Sequence, residues 1–166
     1  YFVIASTAGH DSTAATTAAG MWLLAERPDL LAQLQADAGL LPAFIEELIR
    51  WVSPVKHFLR SAVTDHEIRG QHIKKGDLMY LSYVSGNRDE DVFDDPFEFR
   101  LDRKPNRHVG FAFGSHVCLG QHLARMELRI FWEELLPRLD TVKLSGVPKY
   151  AVSDLVCGPK SVPIQF

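Results

Sequence analysis

Cysteine is scarce in this chain of 166 residues, which contains only Cys118 and Cys157. Two cysteines without the spacing of a disulfide-rich secreted domain exclude a disulfide framework and favour a reducing compartment, the cytoplasm. An apolar run of about 20 residues is missing, as is a signal peptide, so no membrane segment is predicted in this chain. The net charge is −3 rather than strongly positive, which argues against nucleic acid as the main partner.

The first residues also lack a start signal. No methionine opens the chain, and residues 1–5 begin inside an apolar run without Ser, Thr, Asp or Asn as an N-cap. We therefore expect the sequence to begin within a helix of a longer protein. Its composition, 46% hydrophobic and 23% charged, is that of an ordinary globular domain.

What is present is organised around residues 113–120, Phe-Gly-Ser-His-Val-Cys-Leu-Gly. Cys118 lies between a glycine-rich turn and a predicted helix over residues 119–136. Gly114 and Gly120 would let the backbone approach a flat ligand without a Cβ in the way. A helix N-terminus favours the thiolate form of a cysteine, and a thiolate held by backbone donors is a strong axial ligand for haem iron. A buried core thiol is the alternative at this point.

The string Phe-Gly-x-x-x-x-Cys-x-Gly, followed by Leu-Ala-Arg, resembles the haem-binding signature of the cytochromes P-450, the haem-thiolate monooxygenases. The His-x-Cys variant of His116 and Cys118 is similar to the soluble bacterial members. The resemblance implies heme b with Cys118 as the axial ligand of iron, and Phe113, Gly114 and Gly120 around it. It also implies a mainly α fold with small β-sheets (α+β), of which residues 1–166 would be the C-terminal portion.

A long helix over residues 1–26 is predicted to carry a polar cluster, Ala-Gly-His-Asp-Ser-Thr at residues 8–13. Gly, Asp, Ser and Thr are poor helix-interior residues, so we expect a functional distortion there. An acid beside an alcohol can relay protons to an oxygen species. The string resembles the family's oxygen-activation motif, which implies Asp11 as the acid and Ser12 as the alcohol, although most members carry Thr at the second position. An exposed helix with a helix-breaking cluster is the other interpretation.

Glu47 and Arg50 are three residues apart on a predicted helix over residues 41–52, and so lie on one helical face. Apolar neighbours surround them, which favours partial burial and a role as a structural lock. The pair is similar to the family's Glu-x-x-Arg pair. The resemblance implies that Arg103 completes the lock, with Arg100 as the nearby competitor.

Short alternating runs between residues 58 and 83 predict small strands with hairpin turns at residues 69–71 and 75–77. By the resemblance, Arg60 in the first strand would bind a haem propionate, and His116 would be a second propionate partner. The resemblance also implies a substrate pocket that includes Ala5, Gly9, Val55 and Leu155.

Between residues 100 and 129, six lysines and arginines stand against two acids, so a basic face could dock an acidic electron-transfer protein. A solvated loop is the equal alternative. The six cations are Arg100, Arg103, Lys104, Arg107, Arg125 and Arg129.

The resemblance implies electrons from a ferredoxin and its NAD(P)H-dependent reductase, and insertion of one oxygen atom from O2 into a small apolar substrate. The tail, with Leu-Ser-Gly-x-Pro and Gly-Pro-Lys-Ser-Val-Pro-Ile, is similar to the terpineol-oxidising bacterial members, which implies a terpenoid-like substrate.

Two other interpretations remain open at this point. One is a metal-binding module, because histidine and cysteine side chains are zinc ligands, although their spacing matches no zinc pattern. The zinc ligands would be His108, His116, Cys118 and His122. The other is an incomplete, catalytically inactive piece, which would expose apolar surface.

Overall fold

The computed structural model describes residues 2–166, apart from the side chains of residues 2, 4 and 5. Within that part of the chain, five α-helices carry most of the regular structure. They are α1 (Phe2–Glu26), α2 (Pro28–Ala36), α3 (Leu41–Val52), α4 (Tyr83–Gly86) and α5 (Gln121–Leu135). Single 3-10 turns lie at Ala38–Leu40, Gly114–His116 and Leu136–Arg138. None of the described helices combines the length and the apolar character needed to cross a bilayer.

Short strands account for the remaining regular structure of the described chain. They are β1 (His57–Ser61), β2 (His66–Ile68), β3 (Gln71–Ile73), β4 (Leu78–Ser82), β5 (Lys143–Leu144), β6 (Lys149–Tyr150), β7 (Pro159–Ser161) and β8 (Ile164–Gln165). They pair antiparallel in two-stranded sheets, β1 with β4, β2 with β3, β5 with β8 and β6 with β7. The predicted architecture, mainly α with small β-sheets, is confirmed.

Of the two predicted hairpin turns, one is confirmed and one is wrong. Arg69 and Gly70 join β2 to β3 with φ angles of 49° and 78°, the left-handed conformations that a two-residue hairpin turn favours. The turn at residues 75–77 is not a hairpin, because β4 pairs with β1 and not with β3. The β2–β3 hairpin is therefore an insertion between the two strands of the larger sheet.

Helix α1 runs unbroken through its polar cluster, so the predicted distortion is wrong. The Ser12 hydroxyl donates to the carbonyl of Ala8 at 2.8 Å, and the Thr16 hydroxyl donates to the carbonyl of Ser12 at 2.8 Å. Both bonds run four residues back along the helix. The hydroxyls therefore bond to carbonyls within the helix instead of competing with the helical conformation.

Helix α3 lies at the centre of the core, and α1 and α5 pack against it. Phe44 and Trp132 are fully buried, and their ring centroids are 5.3 Å apart in an edge-to-face arrangement that aromatic pairs favour. Gly20 of α1 lies directly on Trp132, because a Cβ at Gly20 would stand 2.5 Å from Trp132 Cζ2. The loop that ends in Cys118 leads into α5, and so it is mounted on this core.

Candidate functional site

The segment around Cys118 is a tightly turned loop. The Cys118 N–H donates to the carbonyl of Phe111 at 2.8 Å, and the Val117 N–H donates to that of Gly114 at 3.0 Å. Gly114 has a φ of 69°, a conformation that residues with a Cβ rarely adopt. The Cys118 thiol is free and exposed, so the alternative of a buried core thiol is wrong for this chain.

Helix α5 begins at Gln121, two residues later than predicted. Its N-cap is Gly120, where a Cβ would stand 3.9 Å from Cys118 Sγ. The Gln121 N–H donates to the backbone carbonyl of Cys118 at 3.3 Å and not to its sulfur. The positive end of the α5 dipole therefore faces the cysteine. The Gln121 N–H, however, is not one of the backbone donors that were predicted to hold the thiolate.

The surface beside Cys118 is apolar and open. Phe113 is 86% exposed and Leu119 is 95% exposed, and both belong to residue types that proteins usually bury. A Cβ at Gly114 would meet no atom within 4 Å. A free thiol next to bare apolar surface fits a flat macrocycle with a thiolate-bound iron, so the residues present fit a haem.

Arg60 and His116 are the two side chains predicted for the haem propionates. Arg60 lies on β1 opposite Met79, and its guanidinium donates to the carbonyl of Leu59 at 2.8 Å. His116 lies in the exposed 3-10 turn two residues before Cys118. Neither is ion-paired with a carboxylate of the described residues, so both have donor groups free for an anionic ligand.

Asp11 and Ser12, the two residues predicted for a proton relay, are neighbours on α1. A carboxylate oxygen of Asp11 is 2.8 Å from Nδ1 of His10, and both side chains are exposed. Sequence analysis missed His10 as a partner of Asp11. The signal that could have revealed it was that the two residues are adjacent in the sequence. An imidazole and a carboxylate in hydrogen-bond contact can pass a proton between them.

Two of the predicted pocket residues are brought together. An isolated antiparallel bridge joins Val55 to the residue after Leu155, and the Lys56 N–H donates to the carbonyl of Leu155 at 2.9 Å. Gly9 is exposed on α1, with no atom within 4 Å of a Cβ built on it. The side chain of Ala5 lies outside the described residues.

Glu47, Arg50 and Arg103 form one buried ion cluster. Arg50 donates from Nε and Nη2 to the two oxygens of Glu47 at 2.8 and 2.7 Å, and Arg103 Nε donates to both at 3.1 Å. The Glu47 and Arg50 side chains are 1% and 0% exposed. Arg100 contributes its backbone N–H at 3.0 Å, and Asn106, which sequence analysis missed, donates its side-chain amide at 3.1 Å. Arg103, not Arg100, therefore supplies the third charged side chain.

Carbonyls of the loop over residues 87–98 complete the bonding of both guanidiniums. Burial alone would raise the pKa of Glu47, but the hydrogen bonds from Arg50 and from the Arg100 backbone outweigh it and lower the pKa below its usual value. The cluster meets the condition for a stable buried ion pair, because each charge has several partners. The accepting carbonyls are those of Asn87, Pro96 and Glu98 for Arg50, and of Asp94, Asp95 and Glu98 for Arg103.

Glu46 forms a second ion cluster, with His108 and Arg125, that sequence analysis missed. Burial alone would raise the pKa of Glu46, but hydrogen bonds from His108 and Arg125 outweigh it and lower the pKa to about 2. The signal in the sequence that could have revealed this cluster was the adjacency of two acids, Glu46 and Glu47. Neighbouring side chains on a helix point about 100° apart, so on a helix buried on most sides each acid needs its own cations.

The predicted basic face is largely neutralised within the chain, because four of its six cations contact carboxylates. The count of charges covered residues 100–129 only, and so it omitted carboxylates elsewhere in the chain that pair with these arginines. Arg100 contacts Asp95 and Asp102, Arg103 contacts Glu47, Arg125 contacts Glu46 and Arg129 contacts Glu133. Lys104 and Arg107 are exposed and have no carboxylate partner in the part of the chain that the structure describes.

The zinc alternative has no geometric support. The His108 side chain is 3% exposed and bonded to Glu46, whereas Cys118, His116 and His122 are exposed. Among the described residues, no three histidine, cysteine or acidic side chains converge as ligands for a metal ion.

Comparison with known proteins gives consistent matches. The family model described as cytochrome P450 matches residues 3–165. Cytochrome P450-terp of Pseudomonas sp. is 51% identical over 166 residues, which are 100% of this chain and 39% of that protein. Steroid C26-monooxygenase of Mycolicibacterium smegmatis is 41% identical over 160 residues, which are 95% of this chain and 40% of that protein.

A solved structure is similar over almost the whole chain. The crystal structure of CYP108D1 from Novosphingobium aromaticivorans superposes with a TM-score of 0.95 at 47% sequence identity. The match covers 99% of this chain and 40% of that one. The chain thus spans well under half the length of the proteins it matches.

Proposed function

The chain belongs to the cytochrome P450 family, and from this premise we propose that it supplies the haem-binding part of a monooxygenase. The enzyme inserts one oxygen atom from O2 into a small apolar molecule. The observation that carries the proposal is Cys118, a free and exposed thiol on a turned loop beside open apolar surface. Residues 1–166 form the C-terminal portion of the single catalytic domain in this proposal.

Cys118 would hold heme b as its axial thiolate ligand. When bound, a thiolate-ligated haem supplies the oxygen-activating chemistry, because the thiolate donates electron density that favours O–O cleavage. The Phe111 carbonyl fixes the Cys118 backbone. Phe113 and Gly114 present an apolar, unobstructed face to the macrocycle, and Gly120 places no side chain beside the sulfur.

Four further side chains have proposed roles at the site. Arg60 and His116 bind the propionates, because their donors have no internal carboxylate among the described residues. Asp11 and Ser12 would act as the proton relay. Asp11 holds or releases a proton at its carboxylate, next to His10, and the Ser12 hydroxyl is oriented by its bond to the Ala8 carbonyl.

The proposed substrate is a small apolar, terpenoid-like molecule. Two observations support this class: 51% identity to a relative whose name carries the suffix "terp", and the similarity of the tail to terpineol-oxidising members. Ala5, Gly9, Val55 and Leu155 would line the pocket. The bridge between Val55 and Val156, with the bond from the Lys56 N–H to the Leu155 carbonyl, gives that wall a fixed position.

The proposed electron source is a ferredoxin with its NAD(P)H-dependent reductase, in the cytoplasm. Lys104 and Arg107 are the two cations of the cysteine side that carry no internal partner among the described residues. An acidic electron-transfer protein would pair with them. No nucleic acid partner is proposed.

The test is the reduced, carbon monoxide-bound absorption spectrum of a protein of the relatives' full length that carries this chain. We expect the red-shifted Soret band of thiolate ligation, and we expect Cys118→Ala to abolish it. The matched control is Cys157→Ala, which removes a half-buried sulfur bonded to the Ala151 carbonyl and should keep the band. A band that survives Cys118→Ala overturns the proposal.

The same spectrum on this chain alone, with added haem, tests the alternative of an inactive piece. The exposed Phe113 and Leu119 favour that alternative for the isolated chain, since apolar surface of this kind is usually covered. A thiolate-type band shows that the chain builds its cysteine site by itself. If the band is absent from this chain but present in the longer protein, thiolate ligation needs the longer protein. Any activity that depends on the haem then belongs to the longer protein alone.

A further inference from the structure

We propose that Glu46 is a positioning residue for Cys118, and that it fixes both sides of the cysteine loop through His108 and Arg125. The inference rests on the proposed function, since the position of Cys118 matters to haem ligation only if Cys118 is the ligand. It concerns contacts other than those of the Glu47 cluster, which connects α3 to the loop before the cysteine segment. Glu46 lies on α3, the most deeply buried helix of the core.

Arg125 connects Glu46 to the helix that follows the cysteine. Its Nε lies 2.6 Å from Glu46 Oε1, and its Nη2 lies 3.0 Å from Oε2. Its Nη1 donates to the side-chain oxygen of Gln121 at 3.1 Å. A two-pronged arginine–carboxylate contact fixes orientation as well as distance. The first turns of α5 are therefore held at a set position against α3.

His108 connects the same carboxylate to the chain that precedes the cysteine. Its Nε2 lies 3.0 Å from Glu46 Oε2, and its Nδ1 accepts the Gly110 N–H at 3.2 Å. Because Nδ1 is an acceptor, the hydrogen-bond network assigns the proton to Nε2, which donates to Glu46. Gly110 lies directly on α3, because a Cβ there would stand 2.8 Å from Ile49 Cγ2.

Phe111 links this cluster to the thiol. The Arg125 guanidinium lies over the Phe111 ring, 4.5 Å from its centroid, in a cation–π contact. The Phe111 carbonyl accepts the Cys118 N–H at 2.8 Å. The carboxylate of Glu46 therefore acts on residues 108–111 before the cysteine and on residues 121–125 after it, and Cys118 lies between the two fixed points.

The experiment compares Glu46→Gln, which keeps the shape and removes the charge, with Arg125→Lys, which keeps the charge and removes the two-pronged geometry. Both are made in the longer protein that carries this chain. The control is Glu134→Gln on α5, whose carboxylate forms an exposed pair with Arg138 at 2.9 Å. The readouts are the share of the carbon monoxide complex in the thiolate-type band, and amide hydrogen exchange at Gly110 and Cys118 in the haem-bound protein.

We expect Glu46→Gln to lower the thiolate share and to speed exchange at the Cys118 amide roughly tenfold, since a hydrogen bond to a charged group holds the loop. Arg125→Lys should act in the same direction with a smaller effect, and Glu134→Gln should match the wild type. If Glu46→Gln does not fold, Arg125→Lys decides alone.

Two results would overturn the inference, and they differ in what else they overturn. An unchanged spectrum and unchanged Cys118 exchange in both variants, even with a lower melting temperature, leaves Glu46 as a packing residue and the proposed function intact. A wild-type protein without a thiolate band removes the proposed function and this inference together.

Discussion

Arg103 and Glu47 meet across 56 positions of sequence, where Arg103 Nε lies 3.1 Å from each oxygen of the Glu47 carboxylate. The contact joins the core helix α3 to the loop that precedes the cysteine segment. Arg50 approaches the same carboxylate from within α3. Two guanidiniums therefore share one buried carboxylate, which makes Glu47 the residue on which the charge balance of the cluster depends.

Glu47→Gln leaves Arg50 and Arg103 buried without a counter-charge. We expect the free energy of unfolding to fall by roughly 3–5 kcal/mol, measured by urea denaturation of the longer protein, because removing one partner of a buried pair leaves the other uncompensated. The control Glu134→Gln removes an exposed pair with Arg138 and should change stability by about 0.5 kcal/mol or less. Equal losses in the two variants would contradict the role of burial.

Glu46 should make stability depend on acidic pH. Its pKa in the folded protein is about 2, below the ordinary 4.5, so the unfolded chain binds the proton more tightly. The stabilisation is therefore fully present above pH 4.5 and is lost as pH falls from 4.5 towards 2. The full difference amounts to about 3 kcal/mol.

Urea unfolding at a series of pH values measures this effect in the wild type and in Glu46→Gln. The gap in unfolding free energy between the two proteins should narrow on acidification through that window, while effects of other carboxylates cancel in the comparison. A gap that stays constant from pH 7 to pH 3 would show that Glu46 is not the titrating group.

Gly158 packs directly on α1, because a Cβ there would stand 2.3 Å from the Ala15 Cβ and 3.0 Å from its Cα. We expect Gly158→Ala to lower the free energy of unfolding by about 1–3 kcal/mol through overpacking. Ala15→Gly costs about 1 kcal/mol in a helix interior but removes the Cβ, which is the nearer of the two Ala15 atoms in conflict. The double variant should therefore lose less than the sum of the single losses, and strictly additive losses in thermal or urea unfolding would argue against this contact.

Ser12→Ala should uncouple electron consumption from product formation, because it removes the hydroxyl proposed to carry protons. With terpineol as the substrate tested, we expect the share of NAD(P)H that appears as product to fall roughly tenfold or more, with hydrogen peroxide rising in its place. Ser12→Thr should keep or raise that share, since the β-branched side chain has fewer rotamers. The control is Ser6→Ala, whose hydroxyl donates to the Val3 carbonyl at 3.1 Å in the same helix. An equal loss in the control would count against Ser12.

Local signals predicted the ends of α1 and α3 well. Pro28 and the proline after Ser53 mark helix ends that the structure reproduces, with α1 ending at Glu26 and α3 at Val52. Pairing between distant strands could not be read in this way. β1 and β4 enclose an inserted hairpin, and no local pattern distinguishes that arrangement from a simple meander. The polar cluster on α1 was expected to distort the helix, but the Ser12 hydroxyl bonds to the Ala8 carbonyl of the same helix, which stays unbroken.

The cysteine loop was predictable from the sequence because its residues are contiguous. The partners in the ion clusters are distant in the sequence, so most of them could be identified only from the folded structure. Arg100 and Arg103 are three positions apart in one loop, and burial decides that Arg103 reaches Glu47 while Arg100 stays with Asp95 and Asp102. The partner of Arg125 is 79 residues away, so counting charges in one segment overstated the free positive charge.

The adjacency of Glu46 and Glu47 on α3 makes the length of this helix as important as its composition. Because one residue corresponds to about 100° of helical rotation, a single insertion before Glu46 would turn Glu46 away from Arg125 and Glu47 away from Arg103 in one step, although Arg50 would turn with Glu47. The exposed turn at Arg69 and Gly70, by contrast, can grow without moving any ion cluster. Related sequences should therefore keep the spacing within α3 fixed and vary in length at the β2–β3 hairpin.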